Sequence, residues 1–275
     1  MDANQIELPC PAARTASAPG PSFTTELACA APALTTPFLT AQWRHLAVLN
    51  FDIDPTVLAP YVPAGTELDF FEDRTFVSLV GFEFHQTRVW GIAIPFHQNF
   101  EEVNLRFYVR RKTSAGWRRG VCFLRELVRK RAVAWIARRF YGENYLTVPM
   151  RRTVTPPNGN PRAHYRQHYA WHFGGREHAI ELAATGVGAP AEAGTLDEFI
   201  IEHYWGYSGG PGRPTIEYRV EHPRWNLWPA AESLFDADAA RIYGKPFAAP
   251  LTAAPASAFY ADGSPVTVYR GQRIA

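Results

Sequence analysis

The sequence predicts a mainly β fold, an antiparallel domain with a few short helices, on three observations. Residues 102–109 alternate strictly: Glu102, Asn104, Arg106 and Tyr108 share one face, and Val103, Leu105, Phe107 and Val109 share the other. Aromatic residues make up 14% of the chain, with 8 Trp, 12 Tyr and 18 Phe, a content that suits pleated, half-buried surfaces. Strand-length apolar runs are separated by turn signals, and no repeat period links them.

Taken in order, residues 1–36 are rich in Ala, Pro, Thr and Ser and poor in large apolar residues, so a disordered low-complexity tail is expected. A single domain over 37–275 follows. Arg44 to Asp52 reads as an apolar strand, and Asp54-Pro55 as the N-cap and first position of a short helix. Phe76–Phe84, residues 102–110 and residues 120–127 read as strands. Arg131 to Tyr141 carries apolar residues at helical spacing and is closed by Gly142. Arg162–His172 and Arg176–Ala183 flank Gly174-Gly175, a hairpin signal. Phe199–Tyr207 and Thr215–His222 read as strands joined by a longer loop, Ser208 to Arg213. Asp236–Tyr243 reads as a short helix, and Asp262-Gly263 as a turn before a strand over Val266–Arg270.

Hydrophobic residues at 47% suffice for a buried core, and a net charge of +2 excludes a globally polybasic or acidic protein. The charge is unevenly placed. Between Arg106 and Arg152 stand fourteen Lys and Arg against Glu126 and Glu143, leaving the rest of the chain acidic. Such asymmetry fits an anionic ligand, nucleic acid, or ion pairing between strands of one fold. Nucleic acid is the poorest of the three, because no binding motif accompanies the charges. Cys10, Cys29 and Cys122 do not make a disulfide framework, no secretory leader is visible, and a reducing cytoplasm fits. No apolar run is long enough for a membrane helix. The spacing of His164, His168 and His172 would share a helix face, but its setting reads as a strand. There, residues four apart lie about 13 Å apart and cannot share an ion. No metal and no cofactor are expected.

Two regions carry candidate chemistry. The polar face at Glu102, Asn104, Arg106 and Tyr108 lines either solvent or a cavity. Arg129-Lys130-Arg131 follows the 120–127 strand in a chain with only three lysines. Neighbouring cations lower a lysine's pKa and make it a nucleophile toward carbonyls, although a solvated basic turn has the same sequence. In the second half, Glu202 to Tyr207 offers His203 and Tyr204 as ligand contacts. Glu217, Arg219 and Glu221 read either as an exposed ion-paired ladder or as a pocket wall. Phosphate loops and nucleophile elbows are absent.

The segments QWRHLAVLNFDIDPTVLAPYVPAGTELD, FEEVNLRFYV, GVCFLREL, FYGENY and EHYWGY resemble the YqjF-like bacterial family of unknown function, itself similar to acetoacetate decarboxylase. The resemblance spans roughly residues 38–245. It implies a closed antiparallel β-barrel with short outer helices and an internal pocket. By the decarboxylase pattern, Arg44 corresponds to the catalytic arginine, Glu102 to the catalytic glutamate and Lys130 to the Schiff-base lysine, with Arg131 in place of a second lysine. The turn before Lys130 is two residues shorter than the family's and lacks its proline. A lysine activated beside another cation is the stock description of that enzyme. Two readings stay open. One is a lyase-like enzyme acting on a small oxo acid through Lys130, Glu102 and Arg44. The other is a non-catalytic domain holding a small carbonyl or carboxylate ligand through Arg106, Asn104, Tyr108, Arg131, His203 and Tyr204. Oligomeric state is left open.

Overall fold

The computed structural model describes residues 36–130, 144–155, 165–210 and 212–274. The expected tail before residue 36 and the expected helix over Arg131–Tyr141 lie outside the described residues. The strands are β1 Pro37–Ile53, β2 Glu67–Leu68, β3 Thr75–Val89, β4 Ile92–Ala93, β5 Phe100–Thr113, β6 Gly116–Val128, β7 Tyr145–Thr147, β8 Met150–Thr155, β9 Tyr165–Phe173, β10 Arg176–Ala184, β11 Ala189–Pro190, β12 Trp205–Gly210, β13 Arg213–Glu221, β14 Asn226–Asp236, β15 Ser257–Tyr269 and β16 Gln272–Arg273. Helices are short, at Pro55–Leu58, Leu196–Ile201, Ala239–Tyr243 and Ala248–Thr252. The fold is mostly β, as the sequence predicts.

The hydrogen-bonded order is β16-β13-β12-β6-β5-β3-β1-β15-β14-β10-β9-β8, and β13 also pairs with β15 at Val220↔Val268 and Glu221↔Thr267. Alternation along β5 divides two cores. Val103, Leu105, Phe107 and Val109 join one buried cluster with Tyr169, Trp171, Ile180 and Leu182 of β9 and β10. Phe100 and Tyr108 join the other, with Val80, Phe82, Phe84 and Phe199. The outer face is therefore covered largely by strands as well as by helices. The two layers approach closely enough that a Cβ at Gly81 would lie 2.7 Å from the Tyr169 ring.

Asp54 caps Pro55–Leu58 as expected, its Oδ1 accepting from Thr56 N at 2.8 Å. Three readings are corrected. Phe199–Tyr207 is not one strand: Leu196–Ile201 is helical, with Thr195 Oγ1 accepting from Glu198 N at 3.3 Å and Glu198 Oε2 accepting from Gly194 N at 2.7 Å. The first bond is an N-cap at the helix start, and the second ties the Glu198 carboxylate to the residue before the cap. Ser208 to Gly210 belongs to β12, so the loop to β13 is short. Asp262-Gly263 is not a turn, because β15 runs through it. Gly263 sits at φ 75° opposite Arg44, where its missing Cβ lets the strands approach.

Two irregularities reset which side chains face inward. His45 adopts φ 59° where the β1–β3 register slips between Arg44 and Ala47, and Gln86 adopts φ 54° where it slips between Thr40 and Gln42 on the facing strand. Each inserts an extra residue into one strand. Trp43 and Leu46 therefore face the same side although three apart, and so do Phe84 and Thr87.

Part of the charge asymmetry resolves as pairing within the fold. Arg110 meets Glu67 at 2.7 Å, Arg119 meets Asp69 at 2.6 Å, Arg151 meets Glu177 at 2.5 Å and Arg152 meets Glu83 at 2.5 Å. Glu217 holds two arginines, Arg111 at 3.0 Å and Arg118 at 2.7 Å. It is fully buried, which corrects the exposed ladder that alternation suggested. His168 and His172 lie on β9 beside Glu181 and Glu177, at 3.7 Å and 3.6 Å, and His164 lies outside the described residues.

Candidate functional site

Inside the β1–β3–β5–β6 wall lies a cavity of about 150 Å³. Most of its surface is aromatic or aliphatic: Trp43, Phe82, Phe84, Phe100, Trp205 and Trp225 are among the lining residues. Its polar residues include Glu102, Asn104 and Arg106 of β5, Glu126 of β6, Tyr145 of β7, and His203 and His222. A strand that alternates acid, amide and guanidinium on one face delivers these groups into an apolar chamber. Glu102 and Asn104 are almost fully buried, Arg106 partly so.

The hydrogen bonding is incomplete in an informative way. Glu102 Oε1 accepts from Asn104 Nδ2 at 3.1 Å, and Glu102 Oε2 accepts from the Tyr145 hydroxyl at 3.1 Å. The carboxylate thereby fixes the amide's orientation and leaves Asn104 Oδ1 buried without a hydrogen-bond partner. Arg106 reaches Ile200 O only at 3.5 Å, and its Nε is buried and unpartnered. His203 is buried at the end of the Leu196–Ile201 helix, beside the Ile200 backbone, and neither ring nitrogen has a partner of full hydrogen-bond geometry. Its Nε2 stands 4.0 Å from Asp69, which Arg119 holds. Buried polar groups ordinarily find partners, so such a cluster in a cavity marks a place prepared for a ligand or ordered water.

Burial, and then the charges of Arg119 and Arg106, push the His203 pKa well below the usual 6.5. Burial lowers His222 as well. Folding thus disfavours protonation of both rings, while the unfolded chain takes up protons near pH 6.5. This contribution to stability is complete above pH 6.5 and is lost as pH falls below it. We expect the urea midpoint to drop from pH 7.5 to pH 5.5, and to drop less in His203→Gln; an equal drop in the variant would remove His203 from this account.

Comparison with known proteins places the chain. A family model, DUF2071, described as an uncharacterized conserved protein, matches residues 40–265. The chain belongs to the DUF2071 family. No curated protein sequence matches it. Among solved structures, the DUF2071 chain is similar to the enduracididine biosynthesis enzyme MppR complexed with pyruvate, with a TM-score of 0.64 and 13% identity over 88% of this chain and 92% of that one. It is similar to acetoacetate decarboxylase from Legionella pneumophila subsp. pneumophila str. Philadelphia 1, with a TM-score of 0.60 and 12% identity over 91% and 94% of the two chains. An acetoacetate decarboxylase-like enzyme from Sphingomonas wittichii RW1 gives a TM-score of 0.59 and 15% identity over 88% and 94%. At these identities the likeness shows the fold. The family relationship and the decarboxylase-like neighbours agree with what the sequence segments imply.

Of the residues singled out from sequence, the DUF2071 fold brings Glu102, Asn104, Arg106 and His203 to the cavity. Tyr108 sits behind it, its hydroxyl 2.5 Å from Ser78 Oγ and its ring 4.8 Å from His203. Tyr204 donates to Glu202 and packs on His222 at 4.9 Å instead of lining the cavity. Arg44, beside the His45 bulge and partly buried, donates to Gln42 Oε1 at 2.7 Å and to Gly263 O at 3.2 Å, and is not a lining residue. Lys130 follows the end of β6, half-buried, and is likewise not among the lining residues. Arg131 lies outside the described residues. Sequence reasoning missed Glu126, Tyr145 and His222 as cavity residues, and Trp43 and Thr87 with them. For Glu126 a signal was available, an acid directly after the run Val121–Leu124 and Arg125 on the strand that follows β5, where it stands opposite Asn104. Among the described residues no helix is long and apolar enough to cross a membrane, a statement that does not extend to strands.

Proposed function

We propose that this DUF2071 chain binds a small organic acid carrying a carbonyl or hydroxyl group beside its carboxylate, within a closed ring of strands. The β13–β15 pairing supports the ring, since it joins β13-β12-β6-β5-β3-β1-β15 end to end. The observation that carries the ligand class is the set of unspent polar atoms on Asn104, Arg106 and His203 at the base of an apolar cavity. Arg106 takes the carboxylate, since a guanidinium matches that anion's geometry. Asn104 Oδ1 accepts from a ligand hydroxyl, and neutral His203 offers one donor and one acceptor. Glu102 orients Asn104 and Tyr145. The aromatic wall excludes water from the rest of the ligand.

The second reading is lyase-like, with Lys130 condensing with the ligand carbonyl. It draws on the fold shared with MppR, whose complexes hold pyruvate and a condensation product of pyruvate with imidazole 4-carboxaldehyde. In that chemistry the neutral amine adds to the carbonyl carbon and water leaves, giving an imine that borohydride reduces to a stable secondary amine. Arg44 and Arg131 assist in it. None of the chain's three lysines is among the residues lining the cavity, which favours non-covalent binding.

Calorimetric titration with pyruvate and phenylpyruvate tests the first reading. A hydrogen bond to a charged group contributes about 1.5–3 kcal/mol, so Arg106→Met should weaken binding roughly tenfold to a hundredfold. Unchanged affinity in that variant would discard Arg106 as the anion site. Borohydride treatment with the same acids, read by intact mass, separates the two readings. We expect no adduct; an adduct that disappears in Lys130→Ala would establish the lyase chemistry instead.

A further inference from the structure

On the β1–β3 wall, two more polar atoms are left without partners. Trp43 Nε1 and Thr87 Oγ1 are both buried, both belong to cavity-lining residues, and neither meets a hydrogen-bond partner. The contrast with their surroundings is sharp. Trp225, in the same aromatic group, donates its indole N–H to Ser264 Oγ at 2.7 Å, and Thr75, on the same strand as Thr87, donates to Ile53 O at 2.5 Å. Trp43 is not free to turn toward another acceptor. Its ring makes edge contacts with Phe82, Phe84 and Trp225 at centroid separations of 5.6, 6.0 and 6.2 Å.

Both residues face the cavity because of the two bulges. Without the extra residue at His45, or the one at Gln86, simple alternation would not put Trp43 on the side of Leu46, or Thr87 on the side of Phe84. Each bulge holds a non-glycine residue in the left-handed region, which is uncommon and costs energy. Thr87 is further fixed by its backbone N–H, which donates to Gln98 O at 3.0 Å. Two left-handed backbone sites on adjacent strands thus put two residues with unspent polar atoms into the wall of one apolar chamber.

We propose that Trp43 and Thr87 form a second polar subsite that receives an oxygen on the apolar part of the ligand, so that the cavity selects an aromatic oxo acid bearing a ring oxygen over its unsubstituted analogue. This rests on the organic-acid reading above, in which Arg106 takes the carboxylate. An indole N–H only donates, so the ligand atom it meets is an acceptor; the threonine hydroxyl donates or accepts, so it can meet a ligand oxygen or a hydroxyl proton. Discrimination follows because an analogue without that oxygen leaves the buried groups unpaired.

The test is calorimetric titration of phenylpyruvate and 4-hydroxyphenylpyruvate into wild type, Trp43→Phe and Thr87→Val, with thermal melts to confirm that each variant is folded. Thr87→Val keeps side-chain shape, so it serves even where Trp43→Phe loosens the aromatic group. Wild type should prefer the hydroxylated acid at least tenfold. Each variant should reduce that preference, read as the ratio of the two affinities within the same variant, threefold or more. Equal affinity of wild type for the two acids, or a preference kept in both variants, overturns the subsite and leaves the organic-acid reading standing. Binding of neither acid overturns both.

Discussion

Glu217→Gln should lower stability by about 3 kcal/mol, at the low end of what breaking a buried ion pair costs. The carboxylate is fully buried and accepts from Arg111, Arg118, Gln272 and the Tyr207 hydroxyl. Glutamine matches it in shape but offers one acceptor oxygen where four donors converge, and it leaves two guanidinium charges without their counter-charge. Both arginines keep some contact with water, with side-chain exposures of 26% and 15%, which is why the low end applies. Arg111→Met should cost far less, because Arg118 still balances the carboxylate. Urea denaturation of the two variants checks this ordering. A loss below about 1 kcal/mol in Glu217→Gln would mean that solvent already screens the cluster.

Gly263→Ala should be comparably damaging, costing about 3 kcal/mol or preventing folding altogether. The residue combines a φ of 75° with a Cβ position only 2.1 Å from the carbonyl oxygen of Trp43. Backbone, unlike the tip of a side chain, cannot step aside without breaking the β1–β15 ladder. Gly186→Ala is the matched control, with φ 82° but nothing within 4 Å of the new methyl group. It should cost only the left-handed strain, about 1 kcal/mol. Equal thermal shifts in the two variants would show that the contact with Trp43 relaxes.

The same residues show what the sequence does and does not disclose. The inward polar face of β5 was legible because alternation is local: each side chain's face follows from its neighbours two residues away. The Leu196–Ile201 helix was legible too, through Thr195 and Glu198, but the aromatic run after it drew the reading toward a strand. The bulges were hidden, because neither His45 nor Gln86 is a glycine and only the facing strand shows that the register has slipped. That hid the place of Trp43 and Thr87 in the cavity wall. Glu217 was misjudged for a similar reason. Its two arginine partners are 99 and 106 residues away, so no window of sequence shows that a carboxylate is being enclosed.

The place of β1 in the sheet has a consequence for how the protein is made. It is held between β3, which follows closely in the chain, and β15, whose Gly263 is 219 residues beyond the Arg44 that bonds to it. During synthesis at about 5–20 residues per second, one edge of a seventeen-residue strand waits roughly 10–40 seconds for its partner. Throughout that interval the nascent chain carries an open strand edge flanked by Leu46, Val48 and Phe51, the kind of surface that recruits other chains. The last long strand to leave the ribosome is therefore the one that closes this edge and ends the period of aggregation risk.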